Sequence, residues 1–309
     1  MTALIDTLNL VVDGRHELGE GVQWCDRSQR VFWTDIEGAR LHSHDPVSGS
    51  HASWAMPERL ANFAFTAQDG ILLLGLASRL AWFDLASGAV TAIIDVEPDL
   101  PRTRLNDGRC DRQGRFVFGT MDDGPGARQK IGSFYRLDGD LTLTCLPLPK
   151  VAIPNSICFS LDGSAMYFCD TVDKLIWRWD GYASGDASAI TLFADASAAP
   201  GAPDGSAIDA DGHLWNAVWG AARVIRYAHD GSIARSITVD TTQPSCLCFG
   251  GPALNELYVS SAWQQMAPAM RADEPHAGGL YHGAAGVRGV PEARFGTPLS
   301  HLKETDVQA

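Results

Sequence analysis

No apolar run in the sequence approaches the roughly 18 residues that a membrane span requires. The opening stretch "MTALIDTLNLVVDG" carries acids early and no basic n-region, so no secretory signal peptide is expected and the chain reads as cytoplasmic. Basic residues are scarce: 24 Lys and Arg stand against 37 Asp and Glu, a formal charge of -13. That balance repels nucleic-acid phosphates and anionic membrane, and suits a protein that holds cations. Paired cysteines are missing as well. The seven cysteines are odd in number and scattered singly through apolar runs, as reduced, buried thiols are. Cys246-Leu-Cys248 has no second pair or histidine partner to make a zinc site and reads as core. There is no G-x-S-x-G elbow, and none of the nine histidines stands in a triad context, so a serine nucleophile is not expected. "HSHD", His42 to Asp45, alternates as a strand does, with both histidines expected on one solvated outer face.

What the sequence has in quantity is turns and short strands: 31 Gly, 9 Trp and repeated Asp-Gly pairs, with few helical signals. A pattern recurs: a run, a turn, an apolar second run, then an aromatic-rich third run ending in Asp. The second runs are "VFWTDI", "ILLLGLA", "RFVFGTMD", "AMYFCDT", "HLWNAVWG" and "ELYVSSAW". Third runs follow, such as "SRLAWFD" and "KLIWRWD", and then β-rich tails such as "GAVTAIID". The turns lie near Ser28, Gly70, Gly114, Gly163, Gly212 and Ala253, a period of about 41 to 49 residues that matches propeller blades. The expectation is an all-β, six-bladed β-propeller of four-stranded blades, one domain over residues 1–300, with a polar tail at 301–309. "LNLVVDG" should complete the last blade, and "VRGVPEARFG" should be that blade's own closing sequence.

Counting back eight residues from each turn aligns the start of every innermost strand, at Glu20, Asn62, Asn106, Asn155, Asp204 and Ser245. Each blade thus offers an oxygen-bearing side chain near one mouth of the central channel. Carboxylate and amide oxygens without cysteine suit a hard divalent cation, Ca²⁺ first, with Mg²⁺, Mn²⁺ or Zn²⁺ as alternatives. The competing reading is a ring of amides closed by hydrogen bonds alone. It leaves two carboxylates close together in a buried place, each raising the other's pKa, and a cation removes that difficulty.

The stretches "GEGVQW", "RLNDGRCDRQGRFVFGTMD", "PNSICFSLDG" and "PDGSAIDADGHLWNAVWGAARVIRY" together resemble the gluconolactonase and regucalcin (SMP-30) family over nearly the whole chain. The resemblance implies a six-bladed propeller carrying one divalent metal and, in many members, sugar lactonase activity. It puts Glu20, Asn155 and Asp204 on the metal-binding positions, three of the six that the register selects. It gives Arg104 and Asn106 substrate-contacting roles, with Asn106 near enough to the metal to contribute. Family members can carry a substrate-contacting glutamate shortly after the "GTM" turn. Here the chain reads "GTMDDGPG", Gly124 stands at that place, and Asp122 or Asp123 are the candidates to replace it.

The implied activity is hydrolysis of a pentono-, galactono- or gluconolactone to its aldonic acid, with the metal polarising the carbonyl and Asp204 as general base for water. Metal-bound hydroxide is the alternative nucleophile. Two other readings keep the same residues: a calcium-binding, regucalcin-like regulatory protein, and a propeller esterase acting on organophosphates. The expected partner is a small sugar lactone.

Overall fold

The computed structural model describes residues 7–296, and the polar stretch 301–309 lies outside them. Six four-stranded antiparallel sheets form six blades of a β-propeller. Their innermost strands are Gly19–Cys25, Leu60–Phe65, Thr103–Cys110, Pro154–Phe159, Ala202–Ile208 and Pro244–Gly250. These are the six runs aligned by the turns, so the expected period and blade count hold. Among the described residues, no helix is long and apolar enough to cross a membrane.

The core lies between blades. Phe32 and Leu41 of the first blade pack on Phe63, Leu74 and Phe83 of the second, and Phe134 of the third packs on Ile157, Phe168 and Trp179 of the fourth. Because both faces of each sheet are covered by neighbours, second strands such as "FVFGTMD" are buried along their whole length. The same geometry overturns the expectation for His42 and His44, which are both buried. A third strand in a propeller still faces the next blade rather than solvent. His42 stacks on Trp33 with ring centres 5.4 Å apart, and Trp33 Nε1 donates to His16 Nε2 at 2.8 Å. Burial, and then the neighbouring His16 and His51, push the His42 imidazole down to about 3. The cysteines are free as expected and six are buried, but Cys145 is exposed.

The ring closes in two ways. The N-terminal strand Asn9–Val12 pairs with Leu280–Ala284 as the outer strand of the sixth blade, as expected. The stretch "VRGVPEARFG" is not a blade strand. With Asn9–Val12 already on the outer edge of that sheet, residues 285–296 run instead as a strap across the lower mouth of the channel. Gly289 N–H donates to Leu254 O at 2.7 Å, Ala210 N–H to Arg288 O at 2.8 Å, Phe295 N–H to Phe65 O at 2.8 Å and Gly296 N–H to Gly114 O at 2.8 Å. Arg294 reaches Asp26 Oδ1 at 2.5 Å, and Glu292 lies 3.7 Å from buried Arg109. The strap therefore touches five of the six blades with main-chain or charged bonds. At Gly289 it crosses so close to Phe249 that a Cβ would overlap the Phe249 side chain. Gly289→Ala should accordingly lower stability by about 1–3 kcal/mol, the usual cost of overpacking. Urea unfolding at equilibrium measures this, and an unchanged midpoint would show the strap to be slack.

Candidate metal centre

All six register positions sit on innermost strands, and at each the pairing with the second strand slips. The shifts fall between Glu20 and Gln23, Leu60 and Asn62, Leu105 and Gly108, Asn155 and Cys158, Pro203 and Ser206, and Pro244 and Cys246. A bulge adds a residue on one strand and re-aims a side chain, and here it does so at one level of the ring in every blade. Two of the bulged residues have positive φ: Gly21 at 57° and Ser156 at 60°. The conformation is unfavourable for serine, yet three hydrogen bonds hold it. Ser156 Oγ donates to Asp204 O at 2.9 Å and accepts from Ser206 Oγ at 2.9 Å and Asn216 Nδ2 at 3.0 Å.

Four of the six residues, Glu20, Asn106, Asn155 and Asp204, line one cavity of about 230 Å³ together with Arg104. The other two are used by the scaffold. Asn62 Nδ2 donates to Asn106 O at 2.5 Å, and Ser245 Oγ donates to Gly19 O and lies 3.0 Å from Ser260 Oγ. Alignment alone gave no sign of which positions would turn inward.

Asn155 is fixed at both ends of its amide. Its Nδ2 donates to Thr171 Oγ1 at 2.8 Å, Thr171 Oγ1 donates to Pro203 O at 3.0 Å, and Asn155 Oδ1 accepts from Asn106 Nδ2 at 3.1 Å. Asn106 Oδ1 in turn accepts from Arg104 Nη1 at 3.0 Å. Hydrogen bonds therefore run unbroken from Arg104 in the third blade to Pro203 in the fifth. Arg104 is 5% exposed, and burial pushes its guanidinium down, opposed by the charge of Asp123.

The acids are the unusual part. Burial first, and then the Asp107 charge, push Glu20 up to about 8. Asp204 is pushed well up by burial, then by Glu20 and Asp107, and its Oδ1 is buried with no hydrogen-bond partner. Asp107 is raised by burial too, with its Oδ2 accepting from Ile157 N–H at 2.8 Å. It follows Asn106 directly in "RLNDG", where the sequence reading passed over it. An orphaned, buried carboxylate oxygen beside a second, half-buried carboxylate and an oriented amide oxygen is a donor set that fits a hard divalent cation. Glu20, Asn155 and Asp204 are the residues able to hold it.

Asp209, Asp211 and His213 also lie within reach of one another for a metal. Asp209, however, accepts from Arg226 Nε at 2.7 Å, Trp215 Nε1 at 2.8 Å and the N–H groups of Asp211 and His213. Asp111 of the third blade does the same with Arg115, Tyr182 and two N–H groups. Each acid staples the turn between an inner strand and a second strand, and its charge is already answered.

The candidates to replace the missing glutamate separate clearly. Asp122 is enclosed and accepts from Arg102 Nη2 at 2.9 Å and from the N–H groups of Gly124 and Gln129. Asp123 lies nearer the pocket, between two arginines: Arg59 Nη2 at 2.5 Å and Arg104 Nε at 3.3 Å. Burial raises its carboxyl, but the bonds and charges of these arginines outweigh that and leave it below the ordinary range.

Comparison with known proteins is consistent across sequence and structure. The model of the SMP-30/gluconolactonase/LRE-like region matches residues 18–263. An L-arabinolactonase of Azospirillum brasilense is 49% identical over 290 residues, covering 94% of this chain and 96% of its own. A pentonolactonase of Haloferax volcanii is 34% identical, covering 83% of this chain and 85% of its own. The crystal structure of regucalcin, a calcium-binding protein of Agrobacterium tumefaciens, superposes with a TM-score of 0.88 at 31% identity, covering 95% of this chain and 99% of its own.

Glu20 sets a test of the buried acids that does not depend on turnover. In chelated protein the folded chain keeps a proton on Glu20 up to about 8, whereas the unfolded chain releases it near the ordinary 4.5. The stability this supplies is complete below the unfolded value and is lost as pH rises through the folded one. The melting temperature in chelator should therefore fall steadily across this window relative to the calcium-loaded protein, and Glu20→Gln should flatten the fall. Parallel profiles with and without calcium would show that no cation answers these acids.

Proposed function

The chain belongs to the SMP-30/gluconolactonase/LRE-like family, and from that premise we propose that it is a metal-dependent hydrolase of sugar lactones, with an aldonolactone of pentose size as its first substrate. The observation that carries the reading is Asp204 Oδ1, buried on the channel axis with no protein partner. The names of the arabinolactonase and pentonolactonase relatives support the substrate class. A cavity of about 230 Å³ suits a small ring, being below the roughly 300–1,000 Å³ of sites for drug-sized ligands. The seven free cysteines support a reducing compartment such as the cytoplasm.

Glu20, Asn155 and Asp204 would hold the cation, Ca²⁺ before Mg²⁺, Mn²⁺ or Zn²⁺, since all the donors are oxygen. When bound, such a cation supplies Lewis-acid polarisation of the lactone carbonyl and stabilises the negative charge that develops on its oxygen. The protein's own residues do the rest. Arg104 and Asn106 bind and orient the sugar at the pocket floor, each already fixed by its neighbour. Asp204 accepts a proton from water as the water oxygen bonds to the carbonyl carbon. The bond from that carbon to the ring oxygen then breaks, and the proton passes from Asp204 to the departing oxygen, leaving the open aldonic acid. Burial of Asp204 keeps bulk water from competing for the proton.

Hydrolysis of an aldonolactone panel, followed by acid release with a pH indicator, tests this. Chelation should abolish activity, and return of a single divalent ion should restore it. Full activity in demetallated protein would overturn the metal reading, and cation binding without turnover of any lactone would favour a binding protein. Asp204→Asn should lower kcat by roughly 100- to 10,000-fold, the range of general base catalysis, with the melting temperature of the chelated protein no lower than wild type. A near-normal rate would remove Asp204 from the proton transfer.

A further inference from the structure

The floor of the cavity carries the ring, and its wall carries charged groups for which the floor chemistry has no use. Glu37 is the clearest. It stands in the turn between strands Arg30–Asp35 and Arg40–His44 of the first blade and lines the cavity. Its Oε1 accepts from Arg59 Nη1 at 3.4 Å and from Gln264 Nε2 at 3.2 Å, so the carboxylate is held from two sides. Its Oε2 takes no hydrogen bond among the described residues, and the side chain is 22% exposed. One oxygen is thus committed to the protein, and the other is available to whatever fills the cavity. Arg59 also clamps Asp123, and Asp123 holds Arg104, so a chain of charged contacts links Gln264 in the sixth blade to the floor residue Arg104.

The third-blade side of the wall offers no acid with an uncommitted oxygen facing the cavity. At Gly124, a side chain would run into the Arg102 guanidinium, which three contacts pin to the enclosed Asp122. Asp123 has its charge shared between two arginines. Apart from Glu20 and Asp204 on the floor, Glu37 is the only carboxylate among the described lining residues. A carboxylate accepts and cannot donate, and what a lactone presents away from its carbonyl is hydroxyl donors.

We infer that Glu37 determines sugar specificity: through Oε2 it accepts a hydrogen bond from a lactone hydroxyl remote from the carbonyl. The inference rests on the lactonase reading.

The test compares Glu37→Ala and Glu37→Gln with the wild type on a pentonolactone and on its deoxy analogues, each lacking one hydroxyl. Loss of a hydrogen bond to a charged acceptor should lower kcat/KM of Glu37→Ala on the full lactone by about 10- to 100-fold. On the analogue that lacks the contacted hydroxyl the variant should fall by less than about threefold, because the contact is already gone. Glu37→Gln keeps an acceptor oxygen and should show the same pattern at smaller amplitude, and it carries the test if the alanine variant does not fold. An equal loss on every analogue would reduce Glu37 to a scaffold role, and no loss on any would remove it from the site; either overturns the inference alone. A wild type inactive on all lactones would instead overturn the lactonase reading, and this inference with it.

Discussion

Three carboxylates, the buried Asp204 and the half-buried Glu20 and Asp107, are drawn together at the axis, and keeping them there is the constraint on which the rest of the structure depends. Burial raises all three, and the charge of neighbouring acids adds to the rise of Glu20 and Asp204, a penalty that a shared cation would relieve. They come from the first, third and fifth blades, and the neutral Asn62, Asn155 and Ser245 occupy the same level in the second, fourth and sixth. Their separation is therefore set by the geometry of the ring, not by the conformation of any one loop. A single strand or helix could relax to move such acids apart. A closed ring of six sheets cannot do so without opening an interface between blades.

That rigidity has identifiable sources. Bulges at one level of all six inner strands turn backbone out of the ladder, which would leave groups unpaired were they not caught across blades. Asp107 accepts from Ile157 N–H, Ser156 Oγ donates to Asp204 O, and Asn62 donates to Asn106 O. Each bond joins one bulge to the next, so the local disruption that aims a side chain is also what ties neighbouring blades together. Two closures complete the ring, one through Asn9–Val12 at its edge and one through the strap beneath it. The strap binds five blades at the end of the ring away from the cavity that holds Glu20, Asn155 and Asp204.

The blade count and the ring level were legible in the sequence because both follow from local chemistry repeated six times: a turn, a largely apolar second strand and an oxygen-bearing residue at a constant offset. What could not be read is whatever depends on contacts between distant turns. Asp107 is adjacent to Asn106, yet nothing in "RLNDG" says that its charge also acts on Glu20 and Asp204. Asn62 and Ser245 match the others in register but bond to backbone carbonyls that only the folded ring brings near. "VRGVPEARFG" follows the sixth blade in sequence, and only the N-terminal strand's claim on the sixth sheet excludes it from that blade. His42 and His44 looked like an outer face because alternation reports two faces of a strand without saying what covers them.

The floor and the wall of the cavity are built from different kinds of backbone, and this bears on how each can vary. Floor residues stand on bulged inner strands locked blade to blade, where a change in one position disturbs its neighbours. Wall residues such as Glu37, Arg59 and Asp123 stand on turns and connections that can alter without breaking a ladder. The wall can thus change while the floor is kept. Arg104 is the exception that couples the two. It lies on the inner strand Thr103–Cys110 and orients Asn106, but its counter-charge is Asp123, which Arg59 also grips. A buried guanidinium whose acid is shared with the wall transmits to the floor any change in how that wall is filled.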